Sequence, residues 1–200
     1  MWELEESLRR ERGYTAIAGT DEAGAGPLAG RVYAAAVILP FGLELPYLND
    51  SKKVTPKRRD VLFDRIREAA VAWAIAYVEP EEIDRIDILN SRIKAMTLAA
   101  DALSPGRDFL LVDGNRDHGS LCAIEGPHAA VIGGDARSAS IAAASILAKV
   151  ARDRYMEEMA RLYPEYGFEA HKGYPTRLHY ERLRQYGPCP IHRRSFLKKL

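Results

Sequence analysis

The sequence predicts an α/β fold: a mixed central sheet flanked by helices, with a small helical subdomain at the C-terminal end. Three observations carry this. Short apolar runs closed by Gly, Pro or Asp recur from Tyr14 to Ile132, as buried strands require. Between and after them lie stretches with helical spacing, the longest an alanine-rich segment beginning at Ser138. Beyond Pro164 the composition turns to Gly, Pro, aromatics and bases. The chain therefore divides into a main domain over residues 1–162 and an extension over 163–200. Alternating strands and helices argue for layers around one sheet.

Taken in order, residues 2–12 read as an amphipathic helix and Tyr14 to Thr20 as a first strand, ending at Asp21 and Glu22. Arg31 to Leu39 is a second strand, closed by Pro40. Pro56 suits the first turn of a helix to about Ala70, with Val61, Leu62, Ile66 and Ala69 on its apolar face. Val71 to Val78 is a third strand, and helices follow over roughly 80–87 and 90–103. Phe109 to Val112 has the continuous apolar character of a strand buried on both faces, and it ends at Asp113-Gly114-Asn115. Ser120 to Ile124 and Ala130 to Ile132 are further strand candidates. A helix from Ser138 to about Arg161 is broken by Pro164, and a last helix spans about 177–186.

Composition narrows the function classes. With 200 residues, 47% hydrophobic and 28% charged, the chain resembles an ordinary globular domain. No apolar run approaches the ~20 residues of a membrane span, and charge sits where a signal peptide would have its apolar core, so a cytoplasmic protein is expected. Cys122 and Cys189 have no metal-ligand spacing and read as reduced thiols. A net charge of +1 offers no global attraction to polyanions. Any nucleic-acid surface must come from local clusters: Lys52-Lys53, Lys57 to Arg59, Arg152 with Arg154, and the tail from His192 to Lys199. Each could equally be a solvated face.

The chemistry gathers around Asp21-Glu22, adjacent carboxylates followed by Gly24, Gly26 and Gly30. Buried paired carboxylates need cations, metal ions or hydrogen-bond donors to offset their charge, and glycines let a ligand approach the backbone. A strand cap followed by a turn is the simpler alternative. Asp113 and Asp135 also stand beside glycines at predicted strand ends, although an Asp-Gly turn explains Asp113 as well. Together the acids make an oxygen ligand set suited to Mg²⁺ or Mn²⁺, and two such ions serve phosphodiester cleavage. Asp153 competes with Asp135 for the fourth place. At a 1.5 Å rise per residue it lies about 22 Å along the helix, so it reads as a surface ion pair.

The motifs Thr20-Asp21-Glu22-Ala23-Gly24, Asn49 to Lys53, Val112 to Asn115, Gly134 to Ser138, Ala142 to Asp153, His171 to Thr176 with His179, and His192 to Phe196 together resemble bacterial ribonuclease HII over nearly the whole chain. The resemblance implies a ribonuclease H-like fold in which 1–162 is catalytic and the helical extension 163–200 binds substrate. It implies a cytoplasmic, monomeric endonuclease that hydrolyses the RNA strand of RNA/DNA hybrids and incises duplex DNA 5′ to embedded ribonucleotides. The ends left would be 5′-phosphate and 3′-hydroxyl. Asp21, Glu22, Asp113 and Asp135 would hold two Mg²⁺ or Mn²⁺ ions, Asp21 being shared. Gly24, Ala25 and Gly26 would read the ribose 2′-OH through their backbone, and Tyr174 would lie against the sugar on the DNA side of the junction. Lys52 and Lys53 would hold phosphates, with Ser51, Asn115 and Ser138 also at the substrate. Without the resemblance, Tyr174 reads as a turn aromatic packed on the core.

Two positions depart from the family pattern. Ala25 stands where Gly-Arg-Gly is usual, and Arg31 where proline is common. The first opens an alternative, a low-activity variant acting mainly as a hybrid-binding protein; Arg31 is a candidate to restore part of the missing charge. A different two-metal phosphohydrolase is the third reading, one that leaves the basic clusters and Tyr174 without a use.

Overall fold

The computed structural model describes residues 1–49, 51 and 54–198. Its element order is α1 (Glu3–Arg12), β1 (Ile17–Ala23), β2 (Val32–Ile38), α2 (Pro56–Ala69), β3 (Ala72–Val78), α3 (Pro80–Ile86), α4 (Ile88–Asp101), β4 (Phe109–Asp113), β5 (His128–Val131), α5 (Ala139–Leu162), α6 (Phe168–His171) and α7 (Arg177–Tyr186), with short 3₁₀ turns before α5, after α5 and near the C-terminus. The strands form one mixed sheet in the order β3-β2-β1-β4-β5. β1, β2 and β3 pair antiparallel, while β4 lies parallel to β1 and β5 parallel to β4.

The alternation of side chains along a strand divides the core into two layers. From β2, Val32, Ala34, Ala36 and Ile38 join Ile93, Met96 and Ala100 of α4. Ala35 and Val37 face the other way, onto Leu62, Phe63 and Ile66 of α2 and Ala143, Ile146 and Leu147 of α5. Each large aliphatic side chain buried this way contributes about 1.5–3 kcal/mol. The alanines of α5 do something else: they let the helix lie against the sheet. Gly19 makes that approach possible, since a Cβ there would fall 2.2 Å from the backbone nitrogen of Ile141. A third cluster joins Leu28, Ala29 and Tyr33 to Tyr155, Met156, Tyr166, Phe168 and Leu183, seating the C-terminal segment on the main sheet.

Four sequence expectations shift. β1 starts at Ile17 and runs on through both carboxylates, because β2 keeps pairing as far as Ala23 opposite Tyr33. On α2 the buried face is Leu62, Phe63 and Ile66, whereas Val61 is half exposed. Residues 120–124 form no strand: the Asn90 side chain accepts from the amides of Leu121 and Cys122, which leaves only a bridge between His118 and Ala123. β5 ends at Val131, and Ile132 is exposed. No helix among the described residues is long and apolar enough to cross a membrane.

Candidate active site

Sheet register brings two of the acids together. The parallel ladder of β1 and β4 ends at Thr20 opposite Val112, so the next residues, Asp21 and Asp113, stand level at the end of the ladder. Strand alternation assigns them a face. Gly19 and Leu111, two residues earlier, pack toward α5; Asp21 and Asp113 share that face, and Ser145 of α5 hydrogen-bonds Asp21. Glu22 points to the opposite face, where Arg92 of α4 lies with Nε 2.7 Å from its Oε1. Adjacent carboxylates in sequence are thus split across the sheet end.

Asp21 is buried and accepts a 2.7 Å hydrogen bond from the Glu22 amide. Burial, then the charges of Glu22 and Asp113, push its carboxyl well above the usual carboxylate range. Glu22 Oε2 is buried with no hydrogen-bond partner. Asp113 is better provided: its Oδ1 accepts from the amides of Gly134, at 2.7 Å, and Asp135, at 3.3 Å. The Gly134–Ala136 turn therefore delivers half-buried Asp135 beside Asp113. Among the described residues no three His, Cys, Asp or Glu side chains converge as a group that could hold a metal ion. Even so, the donors are all oxygens, and one is an orphaned buried carboxylate oxygen. The set fits a hard divalent cation.

A cleft of about 220 Å³ opens over Asp21 and Glu22, walled by residues 23–26, Ser51, Lys149 and Tyr174. Tyr174 is 42% exposed, so it is no core aromatic; its ring edge lies 3.8 Å from where a Gly26 Cβ would be. Its backbone is fixed, because Tyr174 N donates to His171 O and His179 Nδ1 lies 2.9 Å from Tyr174 O. Ser51 is buried in the cleft wall, its Oγ 2.8 Å from Ser145 Oγ. Ser138, expected at the substrate, instead caps α5: fully buried, its hydroxyl donates to Glu5 and accepts from the Ile141 amide. Asn115 is exposed beyond the end of β4 and does not line the cleft. Lys52 and Lys53 lie outside the described residues.

The basic residues were the least legible. Arg154 is a surface residue paired with Asp60, but Arg152 is 1% exposed. Its Nη2 donates to Lys172 O at 2.9 Å, while Nε and Nη1 have no partner. It packs against the loop and lines the cleft: a Cβ on Gly24, whose φ is +97°, would fall 2.1 Å from Arg152 Nε. Arg31 does not replace the missing loop charge, being bound to both Glu79 oxygens and stacked on Tyr77 and Tyr155. Asp153 is occupied by Lys149 and Arg59, as a surface ion-pair residue would be. The sequence marks Arg152 and the 192–199 tail as basic clusters but not that Arg152 and Arg193 are buried, since burial of an arginine depends on contacts far away in sequence; Arg92, partly exposed, stands in no such cluster.

The model of the family described as Ribonuclease HII matches residues 18–199. A ribonuclease HII of Marinomonas sp. (strain MWYL1) is 55% identical over 181 residues, covering 90% of this chain and 89% of its own length. The crystal structure of ribonuclease H2 from Pyrococcus horikoshii OT3 superposes with a TM-score of 0.75 at 27% identity, over 90% of this chain and 93% of that one. Bst-RNase HIII in complex with Mn²⁺ shares the fold at a TM-score of 0.62 and 17% identity, over 90% of this chain and 65% of that one.

Proposed function

The chain belongs to the ribonuclease HII family, endoribonucleases that hydrolyse the RNA strand of RNA/DNA hybrids, and from that premise we propose that it also incises duplex DNA on the 5′ side of embedded ribonucleotides. The observation that carries this reading is the placement of Asp21 level with Asp113, under a cleft walled by a glycine loop and an exposed tyrosine. A strand of nucleic acid laid along that wall meets backbone on one side and an aromatic face on the other.

Asp21, Glu22, Asp113 and Asp135 would hold two divalent cations, Mg²⁺ or Mn²⁺. When bound, such ions supply an activated water and charge stabilisation for the leaving oxygen. The chain's own residues do the rest. Residues 24–26 approach the ribose with backbone where a bulkier wall would exclude it. Tyr174 offers its ring to the neighbouring sugar, and Gly24 keeps the loop seated on Arg152. Hydrolysis adds water across the phosphodiester and leaves a 5′-phosphate and a 3′-hydroxyl. In this reading residues 1–162 carry the acids and 163–200 complete the substrate wall through Tyr174, in a cytoplasmic monomer.

The test is a DNA duplex carrying one ribonucleotide, incubated with Mg²⁺ or Mn²⁺. Incision 5′ to the ribonucleotide supports the proposal, and comparable cutting of the all-DNA duplex defeats it. A mobility shift without cutting would favour a hybrid-binding protein weakened at Ala25.

A further inference from the structure

Arg193 is fully buried, and its guanidinium spends its donors on backbone carbonyls of a single loop. Nε donates to Gly30 O at 2.9 Å. Nη1 donates to Ala25 O at 3.0 Å and Pro27 O at 2.8 Å, and Nη2 to Gly24 O at 2.7 Å and Arg31 O at 3.3 Å. A guanidinium has five N–H donors in a planar fork, so these carbonyls saturate it. Burial pushes its pKa down to about 9, which still leaves it charged at neutral pH. The segment carrying it is itself tied to the loop: Arg193 N donates to Leu28 O, and Gly30 N to Ile191 O.

The consequence follows from peptide geometry. In a trans peptide the N–H of one residue points opposite to the C=O of the residue before it. Turning the carbonyls of Gly24 and Ala25 onto Arg193 therefore turns the amides of Ala25 and Gly26 away from it, on the side of the cleft these residues line. Successive outward N–H groups of this kind form a concave donor pair for an oxygen. We infer that Arg193 is a positioning residue for ribose recognition: from behind the loop, without touching substrate, it presents the Ala25 and Gly26 amides to the ribonucleotide. The inference rests on the proposed reading of embedded ribonucleotides and assigns the specificity of that reading to a residue in the C-terminal extension.

Binding measured in Ca²⁺, with a one-ribonucleotide duplex against the same duplex in all-DNA form, isolates the effect. Arg193→Ala removes the fork. Arg193→Lys keeps the positive charge but cannot span five carbonyls, and it guards against loss of fold in the alanine variant. The ratio of the two affinities should fall by about tenfold or more, the worth of two hydrogen bonds, with all-DNA affinity and the Mn²⁺-induced rise in melting temperature retained. Millimolar guanidinium should restore part of the ratio in Arg193→Ala. A folded Arg193→Lys that discriminates as the parent does overturns the role of Arg193 alone. A parent that shows no discrimination overturns the ribose reading itself and the role of Arg193 with it.

Discussion

Replacing Asp21 with Asn should make the metal-free protein more stable while nearly abolishing cleavage. Asp21 and Asp113 stand level on neighbouring strands and share a face, and Asp21 is buried. A strand spacing of about 4.8 Å puts such carboxylates roughly 5–8 Å apart. At an effective dielectric constant of about 20, their repulsion is about 2–3 kcal/mol. Asparagine removes it and keeps an oxygen that can accept from the Glu22 amide. For a chain of this size each kcal/mol moves the midpoint by about 2–4 °C, so the metal-free variant should melt about 4–12 °C higher. The parent should recover that difference with a divalent cation: at a hundred times its dissociation constant, a bound ion stabilises by about 2.7 kcal/mol. Calorimetry of both proteins, with EDTA and with Mg²⁺ or Mn²⁺, reads all four values. If Asp21→Asn melts lower than the parent in EDTA, Asp21 is a structural hydrogen-bond acceptor and the argument for a cation site fails.

Ala25→Arg should strengthen substrate binding by roughly ten- to a hundredfold, the worth of a charge-assisted contact of about 1.5–3 kcal/mol, with the effect shrinking across a salt series; unchanged binding would show that position 25 does not face substrate. Tyr174→Ala should impair incision of RNA-to-DNA junction substrates more than of uniform hybrids, and equal losses in steady-state rates would return Tyr174 to a structural role. His179 and His192, whose Nε2 atoms lie 3.0 Å apart, are both depressed to about 4, chiefly by burial. The unfolded chain then binds more protons below about 6.5, so stability is full above that pH and falls toward pH 4 by up to about 1.4 kcal/mol per unit for each histidine. Urea midpoints at pH 7, 6 and 5 that do not fall would contradict their neutral burial.

Much of the fold was legible because its signals are local. Pro56 starting α2, the alanine-rich run of α5 and the apolar run of β4 are properties of a few consecutive residues. The failures share a cause too. Residues 120–124 have the apolar content of a strand, but Asn90, thirty residues earlier, takes their backbone hydrogen bonds. Likewise Asp21 and Glu22 looked like a pair, although only the register between β1 and β4 shows that Asp21 faces Asp113 while Glu22 meets Arg92. The carboxylates were found in the sequence by their glycine neighbours; their partners could not be.

Charge explains why the burial of two of these arginines was not legible and why it matters. A net charge of +1 implies only that any basic surface comes from local clusters, each of which could equally be a solvated face. Instead, two guanidiniums, Arg152 and Arg193, are buried against the glycine loop, and their hydrogen bonds run to backbone carbonyls rather than to carboxylates. Burying cations this way costs desolvation and is tolerated only with dense hydrogen bonding or a nearby anion. Arg193 has the hydrogen bonds. Arg152 lacks two of them, and beside it lies the cleft that a phosphodiester would enter. Gly24 permits this arrangement, since any side chain there would collide with Arg152. Arg152 lines the same cleft as Asp21 and Glu22, so buried positive charge and buried carboxylates meet where an anionic strand would enter.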